Sequence, residues 1–531
     1  MMKDIKTVRE FMHVSKDEEK LLSGIERPIV LLEKQKKSRD NFRLISPKLM
    51  YEGIMLPYTP LHFLLMSCCD TPDCLVMTSG NPRGAPICIT NDEAMKSLNG
   101  IADAFLVHNR PIRRRVDDSV AMISGEKKKK VKLIRRARGY APKPFVTEYS
   151  MPGVLAFGAD MKNTISIAWK NGIFLSQHLG NLDDLSSQDN MLSTVNDLID
   201  LLGVEPELIA VDAHPDYYSS RIGREYAEKR GLPIYTVQHH HAHMLSVIAE
   251  HRLKGKVLGC ILDGTGYGLD GTIWGGEIIL GDSSSDDFVR LAHLEPLKLP
   301  GGDKAVEEPW RTAVSLLYSV SGEKAFDLLP FLPAPMCEVP KEKAGVLINM
   351  MERGFNSPLC SSAGRLFDGV SALLGLRLYS DYEGQAAMEL EALAAQTKTE
   401  EKYPVSSIEN LSITSSPKEI SVRPLVEKML EDILSGREKG LIARKFHNWL
   451  SSTLSLSLRE FSHIYGVDQV ALSGGVMQNR ILAEILALEL EKTGLRVFTG
   501  EKIPVNDGGI SPGQALGGYF KHVSCRSHGG N

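Results

Sequence analysis

Apolar runs of four to six residues alternate with longer stretches whose apolar positions recur at helical spacing, the pattern of a mixed α/β chain. Residues 27–32 read as a short buried strand, and residues 61–69 are apolar at helical spacing. Residues 75–78 and 104–107 read as strands that run into the turns Ser79-Gly80-Asn81-Pro82 and His108-Asn109-Arg110-Pro111. Lys127, Lys128, Lys129 and Lys130 stand between the apolar runs 120–123 and 131–134, which predicts a charged hairpin turn. Residues 1–145 thus form one α/β unit, and the Pro-containing stretch 142–152 reads as a linker. A second domain opens at Gly153 and continues to about residue 525, with residues 406–416 as a Ser-rich surface loop.

Three Gly-rich turns punctuate that second domain, at 158–164, 263–268 and 473–475, each after a β-rich apolar run. Backbone N–H groups in such turns approach phosphate closely. One alone is usually a plain tight turn. Three, with carboxylates between them, predict a duplicated α/β fold that holds a nucleotide in an interlobe cleft. Length fits this reading, since 531 residues exceed one ordinary core. Hydrophobic residues at 43% and charged residues at 24% are those of a globular enzyme. The net charge of -4 supplies no global field toward nucleic acid or membrane, and no apolar run reaches a membrane span. The eight Cys include no C-x-x-C pair, which points to core thiols and a reducing cytoplasm.

The run Val237-Gln238-His239-His240-His241-Ala242-His243 carries the sharpest chemistry. His239 and His243 are four apart, which on a helix stacks two imidazoles on one face where they can grip a metal ion. A solvated His cluster at a helix start is the bland alternative. Asp507, in the turn Asn506-Asp507-Gly508-Gly509, offers a third ligand with coordination positions left open. Asp263 ends a strand and begins Asp-Gly-Thr-Gly, so it is a candidate for catalysis or for metal, with turn capping as the alternative. Lys162 stands in the first Gly turn, placed to touch phosphate, and is the other catalytic candidate. Nucleotide contacts are expected from Gly264, Gly266, Gly364, Asp368, Gly474, Gly475 and Asn479, with Glu383 on a ribose hydroxyl; Ser361 or Ser362 reads as a helix cap. In the first unit, Ser79 and Asn81 offer polar groups at a strand end, and Arg113, Arg115 and Arg138 match phosphate oxygens. Asp117 and Asp118 either hold Mg²⁺ or pair with the arginines.

Residues 56–62, 78–82, 237–243, 361–368 and 382–389 together resemble motifs of the HypF family, carbamoyltransferases of nickel–iron hydrogenase maturation. The resemblance implies a YrdC-like α/β domain followed by a duplicated domain of the actin-like, sugar-kinase-like ATPase fold. It implies that ATP, with Mg²⁺, converts carbamate from carbamoyl phosphate into carbamoyl-adenylate. Transfer to the C-terminal Cys thiolate of a partner, HypE, then follows at a metal, Fe²⁺ or Zn²⁺, held by His239, His243 and Asp507. The family's acylphosphatase domain, zinc-finger region and start of the YrdC-like domain are not in this sequence, so it reads as an N-terminally truncated member in which transfer from preformed adenylate is the surer activity. Rival readings are a small-molecule O-carbamoyltransferase, a YrdC-like binder of double-stranded RNA using Arg113–Arg115 and the lysine run, and a sugar kinase, which leaves the paired histidines unexplained.

Overall fold

The computed structural model describes residues 1–125, 129–405 and 416–528. Lys127 and Lys128 of the lysine run, and nearly all of the Ser-rich stretch 406–416, lie outside the described residues. The chain divides into two compact units. The first comprises residues 1–237, 248–252 and 500–531, and the second residues 238–247 and 253–499. Among the described residues no helix is long and apolar enough to cross a membrane.

The first unit holds two four-stranded sheets. One has the order β2-β1-β3-β4, with β1 Ile29–Glu33, β2 Tyr51–Ile54, β3 Val120–Ser124 and β4 Lys130–Arg135. β3 and β4 are antiparallel, as the lysine run between them predicts. Val8, Met12, Leu22, Val30, Leu32 and Ile54 form the core on this sheet. The expected strands at 75–78 and 104–107 are absent: both segments join no sheet, and Val76, Met77, Phe105, Leu106 and Val107 are exposed. Apolar β-propensity makes a strand only where a neighbouring strand takes up its backbone hydrogen bonds.

The second sheet runs β6-β5-β7-β8, with β5 Phe145–Ala156, β6 Ser166–Leu175, β7 Leu208–Asp212 and β8 Ile234–Val237. The expected linker at 142–152 is therefore mostly strand. Phe145, Thr147 and Met151 alternate inward, and Pro152 sits where the pairing with β6 shifts register, a position that tolerates a residue without N–H. Leu155, Phe157, Ile165, Ile167, Ile209 and Val211 make the core.

The second unit is built on an eight-stranded sheet. Its path is β12-β13-β10-β9-β15-β16, with β9 Lys256–Tyr267, β10 Ile273–Asp282, β12 Leu297–Lys298, β13 Leu359–Cys360, β15 Gln469–Ser473 and β16 Arg496–Thr499. β11 Phe288–Leu294 pairs with β10 and with β14 Lys418–Ile420. β9 is buried almost throughout, as a strand between two paired neighbours must be. Helices Ala363–Leu373 and Lys439–Tyr465 contribute Leu366, Phe367, Phe446 and Trp449 to the buried interior.

Candidate metal centre and its glycine turns

The helix His239–His251 starts one residue after β8. Gln238 fixes that start: its Oε1 accepts the N–H of His241 at 2.9 Å, and its Nε2 donates to Tyr267 O at 3.0 Å and faces His240 Nδ1 at 3.1 Å. His239 and His243 are buried on one face of the helix. Their Nε2 atoms lie 3.3 and 3.5 Å from the same atom, Asp263 Oδ2. The other carboxylate oxygen accepts the N–H of Gly475 at 2.9 Å. Burial alone would raise the Asp263 carboxyl, but the hydrogen bonds with His239 and His243, and their charge, outweigh it and hold it well below the usual carboxylate range. Burial also drives His240 well below the usual imidazole range, so that ring is neutral.

Metal bonds of about 2.0–2.2 Å place neighbouring ligand atoms roughly 3.0–3.5 Å apart. Each imidazole nitrogen has that spacing to the Asp263 oxygen before any ion is added. Metal binding requires an ionised carboxylate and neutral imidazoles, and the first of these is in place. The residues therefore fit a transition-metal ion, and Asp263, a catalytic candidate in the sequence, stands where a ligand would.

The glycines around Asp263 serve close packing. A Cβ on Gly266 would lie 2.5 Å from His240 Cε1 and 2.9 Å from His239 Cδ2, so two imidazoles occupy that space. A Cβ on Gly364 would lie 2.9 Å from Gly264 Cα, which lets the helix Ala363–Leu373 abut the Asp263-Gly264 backbone. Ser362 caps this helix: its Oγ accepts the Arg365 N–H at 3.0 Å and donates to Asp263 O at 2.9 Å. Gly474 has φ +96°, and a Cβ there would lie 2.2 Å from Leu262 O, so only glycine can turn the chain from β15 toward Gly475. Arg365 Nη1 pairs with Asp368 at 2.9 Å, yet burial still pushes Asp368 up to about 6. Glu383 is exposed before the helix Gln385–Ala394, and its charge adds to the upward push on Asp368. Asn479 is committed to structure: Oδ1 caps the helix Arg480–Lys492 through Leu482 N, and Nδ2 lies 3.0 Å from His447 Nε2. The sequence reading missed Gln238 and Arg365. Arg365 and Asp368 carried a usable signal, opposite charges three apart on one helix.

Asp507 lies in the first unit, in the short turn Asp507–Gly509 that leads into the helix Ile510–His528. Asn506 Oδ1 accepts the Gly508 N–H at 3.0 Å, and Thr164 Oγ1 donates to Gly508 O at 3.1 Å. Lys162 is in the same neighbourhood: a Cβ on Gly508 would lie 3.4 Å from Lys162 O. Its own backbone is left-handed, with φ +48°, and its N–H donates to Asn181 Oδ1 at 3.0 Å. The first unit thus brings the first Gly turn against the Asp507 turn.

The remaining candidates sit by the first sheet. Ser79 is exposed, and Asn81 Nδ2 donates to Pro82 O at 3.0 Å and Ala85 O at 2.7 Å, closing its own turn. Arg113 is exposed, while Arg115 pairs with Glu93 at 2.9 Å and donates to Ile87 O at 2.9 Å. Arg138 pairs with Asp118 at 2.7 Å, donates to the carbonyls of Glu26 and Arg27 at 3.0 and 2.7 Å, and stacks 3.6 Å over Tyr58. Burial raises the Asp117 carboxyl.

Three family models match the chain. Residues 259–514 match "Carbamoyltransferase, Kae1-like Domain, second subdomain", residues 149–250 "HypF Kae1-like domain", and residues 1–137 a Sua5/YciO/YrdC model described as "Telomere recombination". The chain is 38% identical to carbamoyltransferase HypF2 of Cupriavidus necator, covering 97% of this chain and 66% of that protein. It is 40% identical to carbamoyltransferase HypF of Rhizobium leguminosarum, covering 99% and 66%. It therefore spans about two thirds of the length of these curated relatives. Its fold superposes on the crystal structure of full-length HypF in the phosphate- and nucleotide-bound form with a TM-score of 0.87 and 38% identity, over 97% of this chain and 78% of that one.

Proposed function

The chain belongs to the HypF family of carbamoyltransferases, and from that premise we propose that it transfers an activated carbamoyl group to the C-terminal Cys thiolate of a protein acceptor, HypE, in nickel–iron hydrogenase maturation. The donor in this reading is carbamoyl-adenylate. Carbamate from carbamoyl phosphate attacks the α-phosphorus of ATP, and pyrophosphate leaves with the electron pair of the broken P–O bond. Ser79, Asn81, Arg113 and Arg115 are the residues of the first domain set to meet that ATP and its Mg²⁺, with Asp117 nearby. In the transfer step the thiolate sulfur attacks the carbamoyl carbon, the C–O bond to phosphate breaks, and AMP departs. A thiocarbamate remains on the acceptor.

His239, His243 and Asp263 hold a divalent ion in this reading, and the family resemblance adds Asp507 as a further ligand. Such an ion, Fe²⁺ or Zn²⁺, supplies Lewis acidity that orients the anionic donor and draws charge from it. Of the glycines there, Gly264 leaves its backbone open to a phosphate: a Cβ on it would meet only Arg365 Nη2, at 3.8 Å. Lys162, in the first unit, is the cation this reading offers to phosphate.

The observation that carries the proposal is the convergence of two buried imidazoles on one ionised carboxylate, in a chain of this family. The test is intact-mass analysis of HypE after incubation with the chain and preformed carbamoyl-adenylate. A carbamoyl adduct on the terminal Cys is expected. No adduct on protein, with transfer to a sugar hydroxyl instead, would overturn the choice of acceptor.

A further inference from the structure

The segment that leads to Asp507 is gripped by a carboxylate that belongs to the histidine helix. Glu250 lies near the C-terminal end of His239–His251, eleven residues on from His239. Its Oε1 accepts the N–H of Lys502 at 2.6 Å, and its Oε2 accepts those of Glu501 at 3.1 Å and Ile503 at 3.2 Å. Three consecutive backbone donors on one carboxylate leave the segment little freedom, because charge-assisted hydrogen bonds are the strong ones.

The grip reaches Asp507 through a stiff piece of chain. Pro504 follows directly, and a Cβ on Gly509 would lie 1.9 Å from Pro504 O, so the turn is folded tightly onto its own start. Asn506 caps the turn at Gly508 N, and its Nδ2 donates to Ile134 O of β4 at 3.0 Å. The N–H of Leu133 donates to Glu501 O at 2.7 Å, and Lys130 pairs with Glu501 at 2.5 Å. Residues 501–509 are therefore clamped between Glu250 on one side and β4 of the first sheet on the other. A shift at 501–503 is transmitted to Asp507.

We propose that Glu250 is a positioning residue for the metal centre, acting through Asp507. The proposal rests on the reading above that Asp507 is a ligand. Its consequence is thermodynamic: the effect of losing Glu250 on metal affinity must disappear once Asp507 can no longer bind.

The experiment is a double-substitution cycle on the full chain, with Co²⁺ as probe, its dissociation constant read by competition with a chelating indicator and its coordination by visible absorption. Glu250→Ala is expected to weaken Co²⁺ binding roughly 10-fold, the usual size for a group that orients a ligand. Glu250→Gln keeps one acceptor oxygen, so it should restore most of that affinity. In an Asp507→Asn background Glu250→Ala should change the dissociation constant less than about twofold. Equal weakening in both backgrounds would overturn the proposal, because Glu250 would then act on the fold at large. If Asp507→Asn weakens binding and neither Glu250 variant does, the clamp is refuted and the ligand reading survives. If Asp507→Asn itself leaves Co²⁺ affinity unchanged, both fall, and the fault lies with the ligand set. Thermal unfolding of Glu250→Gln, expected close to that of the unsubstituted chain, guards against a variant that simply fails to fold.

Discussion

Replacing Gly266 with alanine puts a methyl group where two imidazoles already stand. The new Cβ would lie 2.5 Å from His240 Cε1 and 2.9 Å from His239 Cδ2. Comfortable carbon contacts begin near roughly 3.5 Å, so the two rings must retreat by about 1 Å and about 0.6 Å. Neither has a cheap route. His240 is fully buried between Gln238 and Trp274, and His239 is buried against Asp263. Metal sites tolerate errors of only about 0.2 Å in ligand distance. The overpacking itself costs about 1–3 kcal/mol, and a displaced ligand weakens metal binding roughly 10- to 100-fold. The assay is Co²⁺ titration with thermal unfolding in parallel. Gly345→Ala is the matched control: it lies within the helix Lys341–Glu352 with open space around it, so it should leave Co²⁺ affinity alone and stabilise the fold by about 0.5–1 kcal/mol. A Gly266→Ala chain that binds Co²⁺ as tightly as the unsubstituted one, with an unchanged Tm, would refute the argument that this glycine exists to admit the imidazoles.

Three further outcomes follow from the same geometry. Glu391 is half-buried, and desolvation of its carboxyl pushes it up to about 7, although the Arg480 and Ile481 N–H groups donate to it. Its folded pKa exceeds its unfolded one, so its stabilisation is complete below about pH 4.5 and is lost as pH rises through about 7; Tm profiles should show up to about 3 kcal/mol of pH dependence that Glu391→Gln removes. Gly474→Ala forces a side chain against Leu262 O at φ +96° and should cost about 4 kcal/mol or more, seen as insolubility or a large fall in Tm. Arg138→Lys loses the fork that joins Asp118 to the carbonyls of Glu26 and Arg27, so it should destabilise the first sheet by about 2–4 kcal/mol in a protease-resistance assay while leaving Co²⁺ affinity unchanged. Loss of ATP binding with no loss of stability would instead make Arg138 a nucleotide ligand.

The histidine pair was legible because a spacing of four has one consequence on a helix, and the elements flanking it were legible from their apolar runs. Asp263 reads in the sequence as chemically active, but its place beside the two imidazoles depends on β9 running beside the helix that carries His239 and His243, a long-range pairing that local pattern does not encode. The glycines stood out in the sequence as phosphate turns. At Gly266 and Gly474 the structure gives a steric reason that only the folded neighbours reveal, namely two imidazoles and a carbonyl oxygen. The basic cluster shows the same limit: a guanidinium suits phosphate and buried carbonyls equally, and Arg138 is held by the second kind of partner. Residues 75–78 and 104–107 have strand composition without a strand neighbour, and 145–152 has linker composition with one. Pairing, more than propensity, decided all three.

The most direct test of the account is the metal content of the full chain after equilibration with Fe²⁺ or Zn²⁺ and gel filtration, measured by elemental analysis together with carbamoyl transfer from preformed adenylate. The account predicts one ion per chain, lost together with transfer in Asp263→Ala and in the His239→Ala, His243→Ala double variant, while all remain folded. Full transfer by a metal-free chain, or undiminished metal in Asp263→Ala, would contradict it.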